Sequence, residues 1–191
     1  MSDEWYEAVS ATVELSQGDI IADCPLAIWS PVALEGTGDA EALLGDLVMR
    51  SQDSIVMTQA CDLEQHKIKN VVLCPCPLLS EFRSSWERAR RTAGKSANAK
   101  EWRKLCDSIC KGIVWSMAML SMGKSGSLST ETRVVQFHEI CTMPRARLEY
   151  YIAQRGSSRL RLLPPYREHL SQSFARFFMR VGLPVPVSRT W

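Results

Sequence analysis

Ile55-Val56-Met57-Thr58-Gln59-Ala60-Cys61-Asp62 is the stretch that decides the fold, read together with Leu15-Ser16-Gln17-Gly18-Asp19-Ile20-Ile21 before it and Val71-Val72-Leu73-Cys74-Pro75 after it. Each apolar run is too short for an independent helix, is rich in Ile and Val, and is bounded by Gly, Asp, Asn or Pro, which is how buried strands are punctuated. The three runs read as strands of a small barrel. The chain has 191 residues, 46% of them hydrophobic, enough to bury one full core, and the expectation is a single domain over residues 1–191.

A net charge of +2 conceals a strong asymmetry along the chain. From Met1 to Gln65, thirteen acids stand against one base, Arg50. Between Phe82 and Lys104 there are eight bases and two acids, and from Arg133 to the end ten arginines and three acids. Such polarity means either that the acidic and basic parts face each other in the fold or that each sign meets its own external partner. The acidic start, Met1-Ser2-Asp3-Glu4, is unlike a signal peptide, and no segment reaches the length of a membrane span, so a cytoplasmic protein with no membrane partner is expected. Seven scattered cysteines, an odd number, read as free thiols.

Breakers set the organisation. Trp5 to Val13 reads as a helical turn or two. Gly18-Asp19 opens the first strand, and Asp23-Cys24-Pro25 closes it. Residues Ser30 to Asp53 read as a long loop with a helical turn at Asp39 to Leu44. The second strand is then Ser54 to Gln59 and the third Asn70 to Cys74, stopped by Pro75 and Pro77. From Leu79 the period becomes helical through Phe82, Trp86, Ala89 and Arg90. After a polar gap at Thr92 to Asn98 it is helical again from Ala99 to Cys110, giving a helical insertion over 80–122. Barrel strands therefore fall in 15–78 and 130–163, the latter at Arg133 to Ile140 and Arg159 to Leu163, with Met143-Pro144 and Arg155-Gly156 as turns. A C-terminal amphipathic helix over 165–181 follows Pro164-Pro165, carrying Tyr166, Leu170, Phe174, Phe177, Phe178 and Val181 as its stripe and Gly182 beyond it. The fold class is α+β.

The Gly18-Asp19-Ile20 strand, the long loop, the Ile55 to Asp62 strand and the Val71 to Pro75 strand resemble the MazF/PemK-type small barrel over residues 15–78. That is an SH3-like fold known for ribosome-independent RNA-cleaving toxins of prokaryotes. The resemblance implies a PemK-type barrel and a setting in toxin–antitoxin, stress or phage-defence systems. It also implies a basic residue beside the first long loop, and a Thr or Ser after the strand matching Val71 to Pro75 that assists attack of a ribose 2′-hydroxyl. Here the loop is acidic with only Arg50, the position after the strand is Cys76-Pro77, and an acidic mouth repels the RNA backbone. The expectation is therefore no catalytic residue and a non-catalytic binding or regulatory role through a protein partner. The alternative is a divergent endoribonuclease or nucleic-acid-binding protein.

Two surfaces are candidates for contact. Glu35, Asp39, Glu41 and Asp46 form an acidic partner surface in the long loop. Arg83, Arg88, Arg90, Arg91, Lys95, Lys100, Arg103 and Lys104, interleaved with Trp86 and Trp102, suit either phosphate contact with stacking or an acidic protein surface, this protein's own included. The tryptophans at that spacing also serve to anchor the insertion. Ala118 to Ser125 spells a relaxed Walker A motif, but Met and Leu fill its loop positions and no helix follows, so it reads as a surface turn. Cys61, Cys74 and Cys76, with Cys24 or His66, lack a Cys-x-x-Cys pair and read as small buried thiols rather than zinc ligands. Cys61-Asp62 with His66 or His138 suggests a thiol nucleophile with a base, while turn chemistry explains Asp62 equally well. No metal and no cofactor are expected.

Overall fold

The computed structural model describes residues 4–29 and 47–179. Its centre is a four-stranded antiparallel sheet, curled into a half-barrel, of β2 (Ile20–Trp29), β3 (Leu47–Val56), β4 (Asn70–Pro75) and β9 (Cys141–Pro144), in the order β2-β3-β4-β9. β1 (Tyr6–Val9) pairs with β10 (Arg159–Leu162), and that ribbon joins the curl through an Asp19–Arg161 bridge and a Leu162 N–H to Gly18 carbonyl bond of 3.0 Å. At the other end a Leu78–Arg133 bridge brings in β8 (Arg133–Gln136), which pairs with β5 (Met117–Leu120); β6 (Gly123–Ser125) and β7 (Leu128–Thr130) form a short hairpin. The helices are α1 (Ala60–Glu64), α2 (Leu79–Thr92), α3 (Ala99–Cys110), α4 (Arg145–Arg155) and α5 (Tyr166–Phe178). The fold is mixed α+β.

Both faces of the central strands are covered, which is why they read as continuous apolar runs instead of alternating ones. Successive side chains of a strand point to opposite faces. Ile20, Ile55 and Cys74 accordingly enter a core with Phe137, Leu162 and Leu170, whereas Ile21, Val56 and Leu73 enter a second core with Leu63 of α1 and Leu148 and Ile152 of α4. A third, smaller core of Phe82, Trp102, Ile109 and Val134 belongs to the helical hairpin and its seat on β8. Gly18 has φ +85°, and a Cβ there would lie 3.0 Å from that of Leu162, so the turn into β2 needs glycine where it meets β10.

The structure corrects several expectations. Trp5 to Val13 is not helical: Tyr6–Val9 is a strand, because β10 supplies it with a partner. The first strand does not close at Pro25, and the second does not begin at Ser54. β2 runs to Trp29 and β3 starts at Leu47, with Pro25 opposite Ser51. β2 is the edge of its sheet, where a residue without an N–H is tolerated, and a register shift between Ile21 and Cys24, with Asp23 at φ 49°, marks a bulge. Cys61 to Glu64 lies in the short helix α1. Met143-Pro144 belongs to β9 and is followed by α4, not by a turn; Gly156, at φ 64°, ends α4 as a left-handed cap. The insertion of 80–122 contains β5 as well as helices, and α5 ends at Phe178, whose side chain is 57% exposed and so leaves the expected stripe. The expected turn at Asp39 to Leu44, and Val181 and Gly182, lie outside the described residues.

No helix among the described residues is long and apolar enough to cross a membrane.

Candidate functional site

The charge asymmetry resolves into two different arrangements. Three acids of the first segment are taken up by arginines of the last. Asp19 is fully buried; it accepts from Arg159 Nε at 2.8 Å, from Arg161 Nε at 2.5 Å and from the Ser16 N–H at 3.0 Å. Arg159, only 7% exposed, spends its remaining donors on the carbonyls of Ser10 (2.9 Å), Val13 (2.9 Å) and Glu14 (3.0 Å), so one guanidinium satisfies the whole turn before β2. Asp53 accepts from Arg133 Nη1 at 2.8 Å, and Arg133 also donates to the Cys76 carbonyl at 2.7 Å. Asp23 accepts from Arg155 Nη2 at 2.8 Å. Hydrogen bonding to Asp23 and Tyr151 raises the Arg155 pKa further. These arginines were not singled out in the sequence, because nothing local marks which of the ten C-terminal arginines meets a distant carboxylate.

The basic insertion behaves differently. α2 and α3 form a hairpin whose turn contains Gly94, with the Asn98 side chain capping α3 by accepting from the Glu101 N–H at 3.0 Å. Arg83 and Arg91 both reach Glu87, at 2.9 and 3.1 Å, and Arg90 donates to the Ser96 carbonyl. Arg88, Lys95, Lys100, Arg103 and Lys104 are exposed, and no ion pair among the described residues involves them. Trp86 and Trp102 do not project as a stacking platform. Their rings pack on each other with centroids 5.2 Å apart, Phe82 lies 6.0 Å from Trp102, and Arg90 and Arg83 cover them at 5.3 and 5.6 Å. The tryptophans hold the hairpin together, and the cations remain outside.

Between hairpin and sheet lies a groove of about 720 Å³, lined by Arg50, Asp53, Pro77, Glu81, Phe82, Trp86 and Glu139 among others. It contains the lone N-terminal base, Arg50, beside four carboxylates, Asp23, Asp53, Glu81 and Glu139. Cys76, at the position where the resemblance implies a hydroxyl, is fully buried; burial pushes its thiol up to about 12 against the opposing pull of Arg133. The acidic candidates Glu35, Asp39, Glu41 and Asp46 lie outside the described residues.

The remaining constellations separate in space. Cys61 is exposed on α1, and its sulfur lies near Gln59 (3.7 Å) and Asp62 (4.0 Å). His138 instead packs edge-on against Phe177 at 4.8 Å, and no described hydrogen bond joins Cys61 to a histidine. Cys24, Cys74 and Cys76 are buried thiols, all seven cysteines are free, and among the described residues no group of three or more His, Cys, Asp or Glu side chains is placed to hold a metal. The Walker-like Gly123-Lys124-Ser125 is strand β6, followed by β7 and not by a helix; a Cβ at Gly123 would come within 2.5 Å of the Tyr6 ring, so this glycine serves packing. Compared with known proteins, the chain matches no family model, no curated protein and no solved structure, so its own residues carry the functional reading.

Proposed function

We propose that this chain is a binding protein, built on a PemK-like small barrel, that acts without catalysis through an acidic protein partner held on the exposed face of the α2–α3 hairpin. The setting that the resemblance suggests is a prokaryotic toxin–antitoxin, stress or phage-defence system. One observation carries the reading: Arg133, Arg159 and Arg161 are paired with Asp53 and Asp19 within the fold, whereas Arg88, Lys95, Lys100, Arg103 and Lys104 stand exposed with no ion pair among the described residues. A surface with that much uncompensated charge steers an oppositely charged macromolecule. A protein is favoured over a single-stranded nucleic acid because Trp86 and Trp102, the residues that would stack bases, are engaged with each other and with Phe82. The groove beside Arg50 is lined by Asp53, Glu81 and Glu139, a poor cradle for a phosphodiester.

A tagged pull-down from the native host, divided into nuclease-treated and untreated halves, tests this. A stoichiometric protein that survives nuclease and is lost with the Arg88→Glu, Arg103→Glu, Lys104→Glu triple change supports the proposal. RNA or DNA lost with the same change, and bound with steep salt dependence, replaces it with the nucleic-acid reading.

A further inference from the structure

Three sulfur-bearing side chains, Cys106, Cys110 and Met119, lie on the two elements that join where the hairpin rests on the sheet. Cys106 and Cys110 are four residues apart on α3, hence on one face of that helix, and Met119 lies opposite on β5 with its Sδ 3.4 Å from Cys110 Sγ. Cys106 and Met119 both pack against the Phe82, Trp102 and Ile109 core. The cluster is open to solvent on one side: Cys110 is exposed, and with Met117, Met119 and His169 it lines a groove of about 550 Å³ between β5 and α5.

We propose that Cys106, Cys110 and Met119 form a site for a soft monovalent cation of the Cu(I) class. Soft thiolate and thioether donors suit Cu(I). Zinc takes Cys, His and carboxylate ligands, and a thioether is not among them. Among the other cysteines, Cys24, Cys74 and Cys76 are buried, Cys141 donates to the Leu73 carbonyl at 3.6 Å, and the exposed Cys61 has the Gln59 and Asp62 side-chain oxygens near its sulfur. Each ligating thiol releases its proton to solvent on binding, the ion enters and stays as Cu(I), and nothing is oxidised or reduced. Because the ligands come from both α3 and β5, occupancy clamps the basic hairpin to the sheet. That consequence is independent of what the hairpin binds.

The test is an anaerobic titration of the whole protein with Cu(I) in competition with bicinchoninate, with thermal melts in Ag(I) as a redox-inert parallel. The expected result is one equivalent of Cu(I) taken from the chelator and a higher melting temperature with Ag(I), since a ligand that binds only the native state stabilises it. Cys110→Ser, at an exposed position, removes the site; Met119→Leu, close in volume, weakens affinity by at least about tenfold, the lower end of what even an outer-shell metal partner commands; Cys61→Ser changes neither. Failure to compete with the chelator overturns the proposal. So does a stoichiometry unchanged in both Cys110→Ser and Met119→Leu, or lost in Cys61→Ser.

Discussion

Arg159 and Arg88 carry the same guanidinium in opposite settings. Arg159 is 7% exposed and surrounded by a carboxylate and three carbonyls, whereas Arg88 projects from α2 into solvent. In the low dielectric of the sheet end, a charge must be paired and hydrogen-bonded, and the pairing then fixes which segments lie side by side. On the hairpin, water screens the charge, and it remains available to something else. One region uses its cations to close the fold and the other presents them.

The comparison breaks first at Asp19. Asp19→Ala leaves Arg159 and Arg161 without their shared carboxylate; the expected cost is about 3–5 kcal/mol, the range for removing one partner of a buried ion pair, read as a lower urea midpoint. An equal loss from Arg88→Ala would erase the distinction between the two regions. Next in size is Gly123→Ala, which drives a methyl group into the Tyr6 ring where β1 meets β6; about 1–3 kcal/mol of overpacking strain is expected in the same measurement.

A pH titration sharpens the contrast by region. Burial raises the thiols of Cys24, Cys74 and Cys76 to about 12 and that of Cys141 to about 11, from an ordinary value of 9.0. Their native pKa values exceed those of the unfolded chain, so their contribution is complete below pH 9.0 and is lost progressively toward pH 11 to 12. Stability is therefore expected to fall on the alkaline side, in denaturant melts from pH 8 to 11. At neutral pH a thiol reagent should label exposed Cys61 and Cys110 first and leave the buried Cys24, Cys74 and Cys76 until unfolding. Prompt labelling of Cys76 would contradict its burial. The smallest effect is expected at Glu87→Ala. It frees Arg83 and Arg91 but removes only two exposed i,i+4 pairs, a loss of about 0.3–0.5 kcal/mol each at most, while increasing the positive field of the hairpin.

Much of the framework was legible locally. The apolar runs at Ile20-Ile21, Ile55-Val56 and Val71 to Cys74 lie in strands, although β3 stops at Val56 and does not reach the expected Gln59, and the helical period places α2, α3 and α5. What was missed lacks a strong local signal. α4 has only Leu148 and Ile152 as apolar buried residues among charged neighbours, and β1 is a strand through pairing with a distant segment, Tyr6 opposite Leu162. The continuation of β2 past Pro25 depends on its being an edge, which is a property of the sheet and not of the segment. The basic residues of the insertion were found from composition, but the use of Trp86 and Trp102 as packing depends on α2 lying against α3. The meeting of Cys110 with Met119, nine residues apart, likewise depends on the seat of α3 on β5.

Strand and helix are specified along the chain wherever periodicity and breakers agree, and so is the segregation of acids from bases. Which charges cancel depends instead on how the segments come together in space. Asp19 and Arg159 are 140 residues apart and meet because two strands are bridged there, and burial at that bridge makes their pairing obligatory. Periodicity is a property of neighbours along the chain, whereas neutralisation is a property of neighbours in space, set by distance and by the exclusion of water.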